Sequence, residues 1–137
     1  MKLIKTVTTI ALIVNIAYQA PSPPAQTKTM DPVEMITQEC ELQEVDADLA
    51  LAIARLETGH FKSEAYCSGN NFGGLSLDEV PISYSSKDDG VKAFVTNLKQ
   101  GYIMQGLDTP EEIGAKYCPV NKDQWTSVIR LLMEEYE

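Results

Sequence analysis

Residues 46–59 read DADLALAIARLETG. Asp46 is a strong N-cap residue type, because its side-chain oxygen can accept from the free amides of a first helical turn. Leu49, Ala50, Leu51, Ala52, Ile53, Ala54 and Leu56 then make the segment apolar on nearly every side. A helix of that kind sits at the centre of a small domain and not on its surface. Gly59 supplies the stop, since glycine readily takes the left-handed conformation that ends helices. The rest of the chain is expected to pack around this helix.

Upstream, Asp31-Pro32-Val33-Glu34 joins a cap acid to a proline at the first helical position. Val33, Ile36 and Cys40 follow on one face, so Cys40 reads as a small buried hydrophobe. Downstream, periodicity disappears from Phe61 to Ser86. The stretch SGNNFGGLSLDEVPISYSS is rich in Gly, Asn and Ser and reads as loop with at most one short hairpin. Helical signals resume at Ser86, with Asp89 as a capping pair. Val91, Phe94, Val95, Leu98 and Tyr102 line the face that follows. Thr109-Pro110-Glu111-Glu112 is a capping box for a short helix to Tyr117, and Asn121 to Gln124 opens the last helix. Its stripe of Trp125, Val128, Ile129, Leu132 and Tyr136 reads as core rather than as a cofactor site.

With 137 residues the chain holds one domain's worth of core. The formal charge of −9 argues against nucleic acid or an anionic polymer as partner, because both need a basic surface. No CxxC, HExxH or phosphate-binding glycine motif occurs, so neither a metal nor a cofactor is expected. At the N-terminus Lys2 and Lys5 precede an apolar run, Val7 to Ala17, too short to span a bilayer. The pattern is that of a secretory signal over 1–20, with retention as an anchor or an ordinary buried helix as the other readings. Residues 21–30 (PSPPAQTKTM) read as an extended spacer, and 31–137 as the domain. The expected location is therefore outside the cell or in its envelope. Loss of 1–20 removes two lysines and no acid and leaves −11. Export permits disulfides. Cys67 and Cys118, both on loops, are expected to approach each other.

One residue stands out. Glu57 ends the apolar helix, where a carboxylate loses hydration and its pKa rises. A carboxylic acid that keeps its proton near neutrality can protonate the leaving oxygen of a glycoside. The plainer alternative is a solvated glutamate paired with Arg55 or Lys62. A long Gly/Asn loop follows, of the kind that lines a groove for an extended polar polymer.

The ordered set ALAIARLETGHF (50–61), NNFGGL (70–75), Tyr84-Ser85-Ser86 and TPEEIGAKYCP with Trp125 and Val128 resembles the glucosaminidase family of peptidoglycan hydrolases. That family belongs to the lysozyme-like superfamily, and the resemblance spans 31–137. It implies a mainly α, compact lysozyme-like domain with a long cleft loop. It implies Glu57 as general acid, with Asn70, Asn71, Phe72, Gly73 and Gly74 as cleft floor. It places His60, Tyr84 and Tyr117 at the substrate. Tyr-Ala-Pro of the family is Tyr117-Cys118-Pro119 here. The family's second carboxylate has only Asp78 and Glu79 as counterparts between Gly74 and Tyr84, and an exposed turn pair is the alternative reading of both. The alternative reading of Tyr84 and Tyr117 is that they wedge helices together.

The activity so implied is that of an exported endo-β-N-acetylglucosaminidase acting on the β-1,4 glycan strands of peptidoglycan. It is expected to act as a monomer, with targeting left to the cleft, the N-terminus or an envelope-assembly partner. Two alternatives stand beside it: a lytic transglycosylase leaving anhydro-muramic ends, and a non-catalytic glycan-binding assembly protein of the same fold.

Overall fold

A computed structural model of the chain describes residues 29–136. The expected export signal and most of the spacer lie outside the described residues. Those residues form a mainly helical domain with one very small antiparallel sheet.

Helix α1 (Pro32–Gln43) starts as its sequence dictates, with the Val33 amide donating to Asp31 Oδ1 at 2.8 Å. Ile36 and Cys40 are buried, and Met35 joins them. Burial, with Asp46 and Glu39 nearby, pushes the Cys40 thiol up to about 12. It is therefore a packing residue and not a nucleophile. Helix α2 (Ala47–Glu57) is capped by Asp46 Oδ1, which accepts from the Asp48 and Leu49 amides. Leu49 to Ala54 are all buried. Each of its buried Leu and Ile side chains contributes about 1.5–3 kcal/mol.

Residues 61–86 are less irregular than the loop expected there. Ser63 caps a one-turn helix, α3 (Glu64–Cys67). Four residues are too few to display a period, which is why the pattern misses it. Strands β1 (Ser76–Leu77) and β2 (Val80–Pro81) form the expected hairpin, pairing Ser76 with Pro81 and Leu77 with Val80. Its two turn residues, Asp78 and Glu79, have φ of 49° and 65°. Both positive values mark a type I′ turn, whose twist matches that of the strands.

Helix α4 (Lys87–Gly101) buries Val91, Phe94, Val95 and Leu98 and is capped by Ser86, which accepts from the Asp89 amide. Helix α5 (Pro110–Tyr117) carries the expected capping box between Thr109 and Glu112. A short 3-10 turn (Pro119–Asn121) leads directly into α6 (Lys122–Glu134), and the Asn121 side chain makes no cap bond there. Trp125, Ile129 and Leu132 are the buried stripe of α6.

Helix α2 packs between α1 and α6, with α4 on α1 and α5 on α6. Polar ties fix the ends. Lys99 and Gln43 join α4 to α1, and Arg55 pairs with Glu135 beyond α6 and lies over the Tyr136 ring. The Lys87 ammonium bonds the Tyr66 carbonyl and sits 3.5 Å from the Tyr66 ring centre, fastening α3 to α4. No helix among the described residues is long and apolar enough to cross a membrane.

The expected Cys67–Cys118 bridge is corrected: all three cysteines are free. Cys67, exposed at the end of α3, turns its sulfur toward the Phe61 carbonyl, 3.9 Å away. Cys118 caps α5 and packs against the core. Each is positioned by its own helix end.

Candidate active site

The site begins where α2 ends. The Gly59 amide returns to the Leu56 carbonyl and the His60 amide to the Arg55 carbonyl, the paired bonds of a Schellman ending. Thr58 is fully buried, and its hydroxyl donates to the Ala54 carbonyl while accepting from the Phe61 amide. Gly59, His60 and Phe61 all have φ near +60°. The chain thus leaves α2 through a tight left-handed turn, and Glu57 occupies the last helical position, rigidly placed.

The Glu57 side chain is half-buried. Its Oε1 accepts from the Trp125 indole N–H at 3.3 Å. Burial raises its pKa above the ordinary value of 4.5, opposed by the smaller effect of the Trp125 bond. The neutral acid is therefore favoured over what an exposed glutamate would show. Trp125 is stacked on Tyr117, with ring centres 5.4 Å apart and planes inclined by 26°. The Tyr117 hydroxyl donates to the Gly73 carbonyl at 2.6 Å. Burial pushes that hydroxyl's pKa upward, with the Glu57 charge adding to the effect. Tyr102 also packs against Tyr117, centre to centre 5.8 Å, and feels the same charge.

The Gly-rich loop closes on this group. A methyl group on Gly74 would lie 3.1 Å from Glu57 Oε2, and its φ is +61°. A methyl group on Gly73 would lie 2.5 Å from the Phe94 ring. Both glycines are close-approach positions, one against the acid and one against the core. Asn71 holds the loop in shape. Its Oδ1 accepts from the Gly73 and Leu75 amides, and its Nδ2 donates to the Leu75 and Ile82 carbonyls.

The structure thus brings together Glu57, Gly73, Gly74 and Tyr117. Asn71 and Phe72, expected in the cleft floor, are both buried. Phe72 has no exposed surface and packs edge-on to Tyr66, while Asn71 spends its amide on the loop backbone. Asn70, at φ 55°, donates to the Tyr84 carbonyl and so joins the two ends of the loop. Tyr84 lines an open groove of about 570 Å³ with Leu75, Ser76, Ile82, Lys92 and Asn97. His60 is exposed and its Nδ1 accepts from Arg55 Nε at 2.9 Å, the arginine that also pairs with Glu135 beyond α6. Asp78 and Glu79 stand exposed at the hairpin tip. Asp78 is four residues from Gly74, up to about 13 Å of extended chain.

Trp125 and Tyr102 belong to the site although their spacing marks them as core. The signal is faint: of the buried residues on α6, only Trp125 carries a side-chain donor. Among the described residues, no three His, Cys, Asp or Glu side chains gather as metal ligands would. The arrangement can hold a neutral carboxylic acid beside an aromatic wall and an open loop, and that is a proton donor's setting. Compared with known protein families and with curated proteins, the chain matches none.

Proposed function

We propose that this chain is an exported peptidoglycan hydrolase with a lysozyme-like domain. Its reaction is that of an endo-β-N-acetylglucosaminidase of the glucosaminidase family, and Glu57 is the general acid. The observation that carries this reading is the half-buried Glu57 carboxyl at the end of the central helix, bonded to Trp125 and flanked by Gly74. An acid there stays protonated to higher pH than in water and faces a glycine where a sugar ring can approach. The groove lined by Leu75, Ser76, Ile82 and Tyr84 mixes apolar and polar surface, as a pyranose with an apolar face and hydroxyl edges requires. Glycan strands are the proposed partner, and a monomer suffices for the chemistry.

A second reading is favoured by one observation. Asp78 and Glu79 occupy the tip of the hairpin, both exposed. An inverting mechanism would need one of them at roughly 6.5–9.5 Å from Glu57, and a retaining one closer still. A single acid suits substrate-assisted hydrolysis or lytic transglycosylation, in which the sugar supplies its own nucleophile. Mass spectrometry of peptidoglycan digested by the full chain separates these outcomes. A reducible N-acetylglucosamine end supports the glucosaminidase. An anhydro-muramic end, lighter by one water, supports the transglycosylase. Absence of any product, from a folded protein, refutes both and leaves a glycan-binding assembly protein.

A further inference from the structure

We propose that Trp125 is a positioning residue for Glu57: its indole N–H keeps Oε1 bare and assigns the acidic proton to Oε2. The inference rests on the reading of Glu57 as general acid. Its basis is the chemistry of the two partners. An indole nitrogen is a donor only, so the oxygen it meets must accept. In the neutral acid the oxygen without hydrogen is the stronger acceptor, and the contact is to Oε1 at 3.3 Å. The proton is left on Oε2, the oxygen beside Gly74. Gly74 is exposed whereas Trp125 is buried. The proton therefore lies on the open side of the carboxyl and not on the core side.

The same bond acts later in the reaction. As the glycosidic C–O bond breaks, its electron pair stays on the leaving oxygen, which takes the proton from Oε2. The carboxylate that remains gains a stronger bond from the indole, since hydrogen bonds to charged acceptors exceed neutral ones. Trp125 thus promotes proton release, while burial favours retention of the proton until substrate arrives. Tyr117 fixes the indole from its other side by stacking, and its own hydroxyl is committed to Gly73.

Trp125 is the one tryptophan in the chain. Global replacement of tryptophan by β-(3-benzothienyl)alanine therefore changes this position alone and exchanges N–H for sulfur at nearly constant shape. Trp125→Phe is the second variant. Two readouts are taken on the full chain: the Glu57 carboxyl titration by ¹³C NMR, assigned by its loss in Glu57→Gln, and the pH profile of peptidoglycan cleavage. Loss of the donor is expected to move the Glu57 midpoint upward by about one pH unit, a tenfold change in proton affinity. The alkaline limb of the cleavage profile should move with it. A purely structural role lowers thermal stability but moves neither. An unchanged midpoint in the benzothienyl protein overturns the proposal. A midpoint that moves without the cleavage limb overturns its catalytic part. A wild-type protein that shows the Glu57–Trp125 coupling but cleaves nothing overturns the general-acid reading instead.

Discussion

Gly74→Ala tests the geometry on which the site depends. The substitution has two consequences that can be worked out separately. The residue has φ +61°, where an L side chain costs about 1–2 kcal/mol. The new methyl would also lie 3.1 Å from Glu57 Oε2 and 3.6 Å from its Cβ. The carboxyl must give way by a few tenths of an ångström, and its 3.3 Å bond to Trp125 must readjust with it. The backbone cost alone lowers the melting temperature by about 4–10 °C for a domain of this size. The displacement of Oε2 falls on activity, because a proton donor moved by that much loses its alignment with the leaving oxygen. Calorimetry and peptidoglycan cleavage on the same preparation separate the two effects. Cleavage should fall at least tenfold at a temperature where the variant remains fully folded. A variant that melts with wild type, or cleaves at the wild-type rate while folded, shows that Gly74 does not press on the acid.

Further outcomes follow from the same contacts. Glu57→Gln should lower cleavage by ~10²–10⁴-fold and leave the fold intact, as circular dichroism would report; a folded variant keeping a tenth of wild-type activity refutes the assignment. Because the folded protein holds the Glu57 proton more tightly than the unfolded chain does, ionising this residue opposes folding, and stability is lost as pH rises above about 4. Glu57→Gln should therefore unfold at higher denaturant than wild type at pH 8, with the difference gone at pH 3; equal midpoints at both pH values would remove the buried-acid argument. Tyr117→Phe frees the Gly73 carbonyl and should cost about 0.5–1.5 kcal/mol in chemical denaturation, with reduced turnover; unchanged stability would mean that the hydroxyl does not tie the loop. A maleimide should label Cys67 in the native protein and leave Cys40 untouched until unfolding, and recovery of a Cys67–Cys118 disulfide peptide from the native chain would contradict the free thiols.

The helical framework was legible because each helix carries its own signals. Asp31, Asp46, Ser86 and Thr109 all cap helices as their types demand, and the stripes after them point inward. The short range of these signals also sets their limit. Helix α3 is one turn long, and its cap, Ser63, is indistinguishable from any loop serine. At the site, Glu57 was legible as a charge closing an apolar helix, and Gly73-Gly74 as a loop motif. The role of Asn71 was only half legible: the residue was marked, but its bonds to Gly73, Leu75 and Ile82 depend on how the loop folds back. Trp125 was read for its apolar surface alone, since nothing within α6 indicates that its N–H meets a residue 68 positions earlier. His60 follows Glu57 closely in sequence, yet the left-handed turn carries it to Arg55.

The distribution of strain argues in favour of a functional reading of this region. Among the described residues, six non-glycine positions have positive φ, and five of them fall between His60 and Glu79. Each such position costs of order 1 kcal/mol and persists only where its surroundings enforce it. Here the enforcement is visible: buried Thr58 holds the turn after α2, Asn71 holds the Gly-rich loop, and Tyr117 ties that loop to α5. The helices that surround the region break few local rules. Natural sequences tend to break such rules at functional sites and compensate elsewhere. The half-buried Glu57 belongs to the same pattern, since its charged form opposes folding while its neutral form is the one the proposed proton donation needs. A glutamine would pack there without that cost. A carboxyl beside Trp125 and Gly74 is what the proposed proton transfer requires and what packing alone does not.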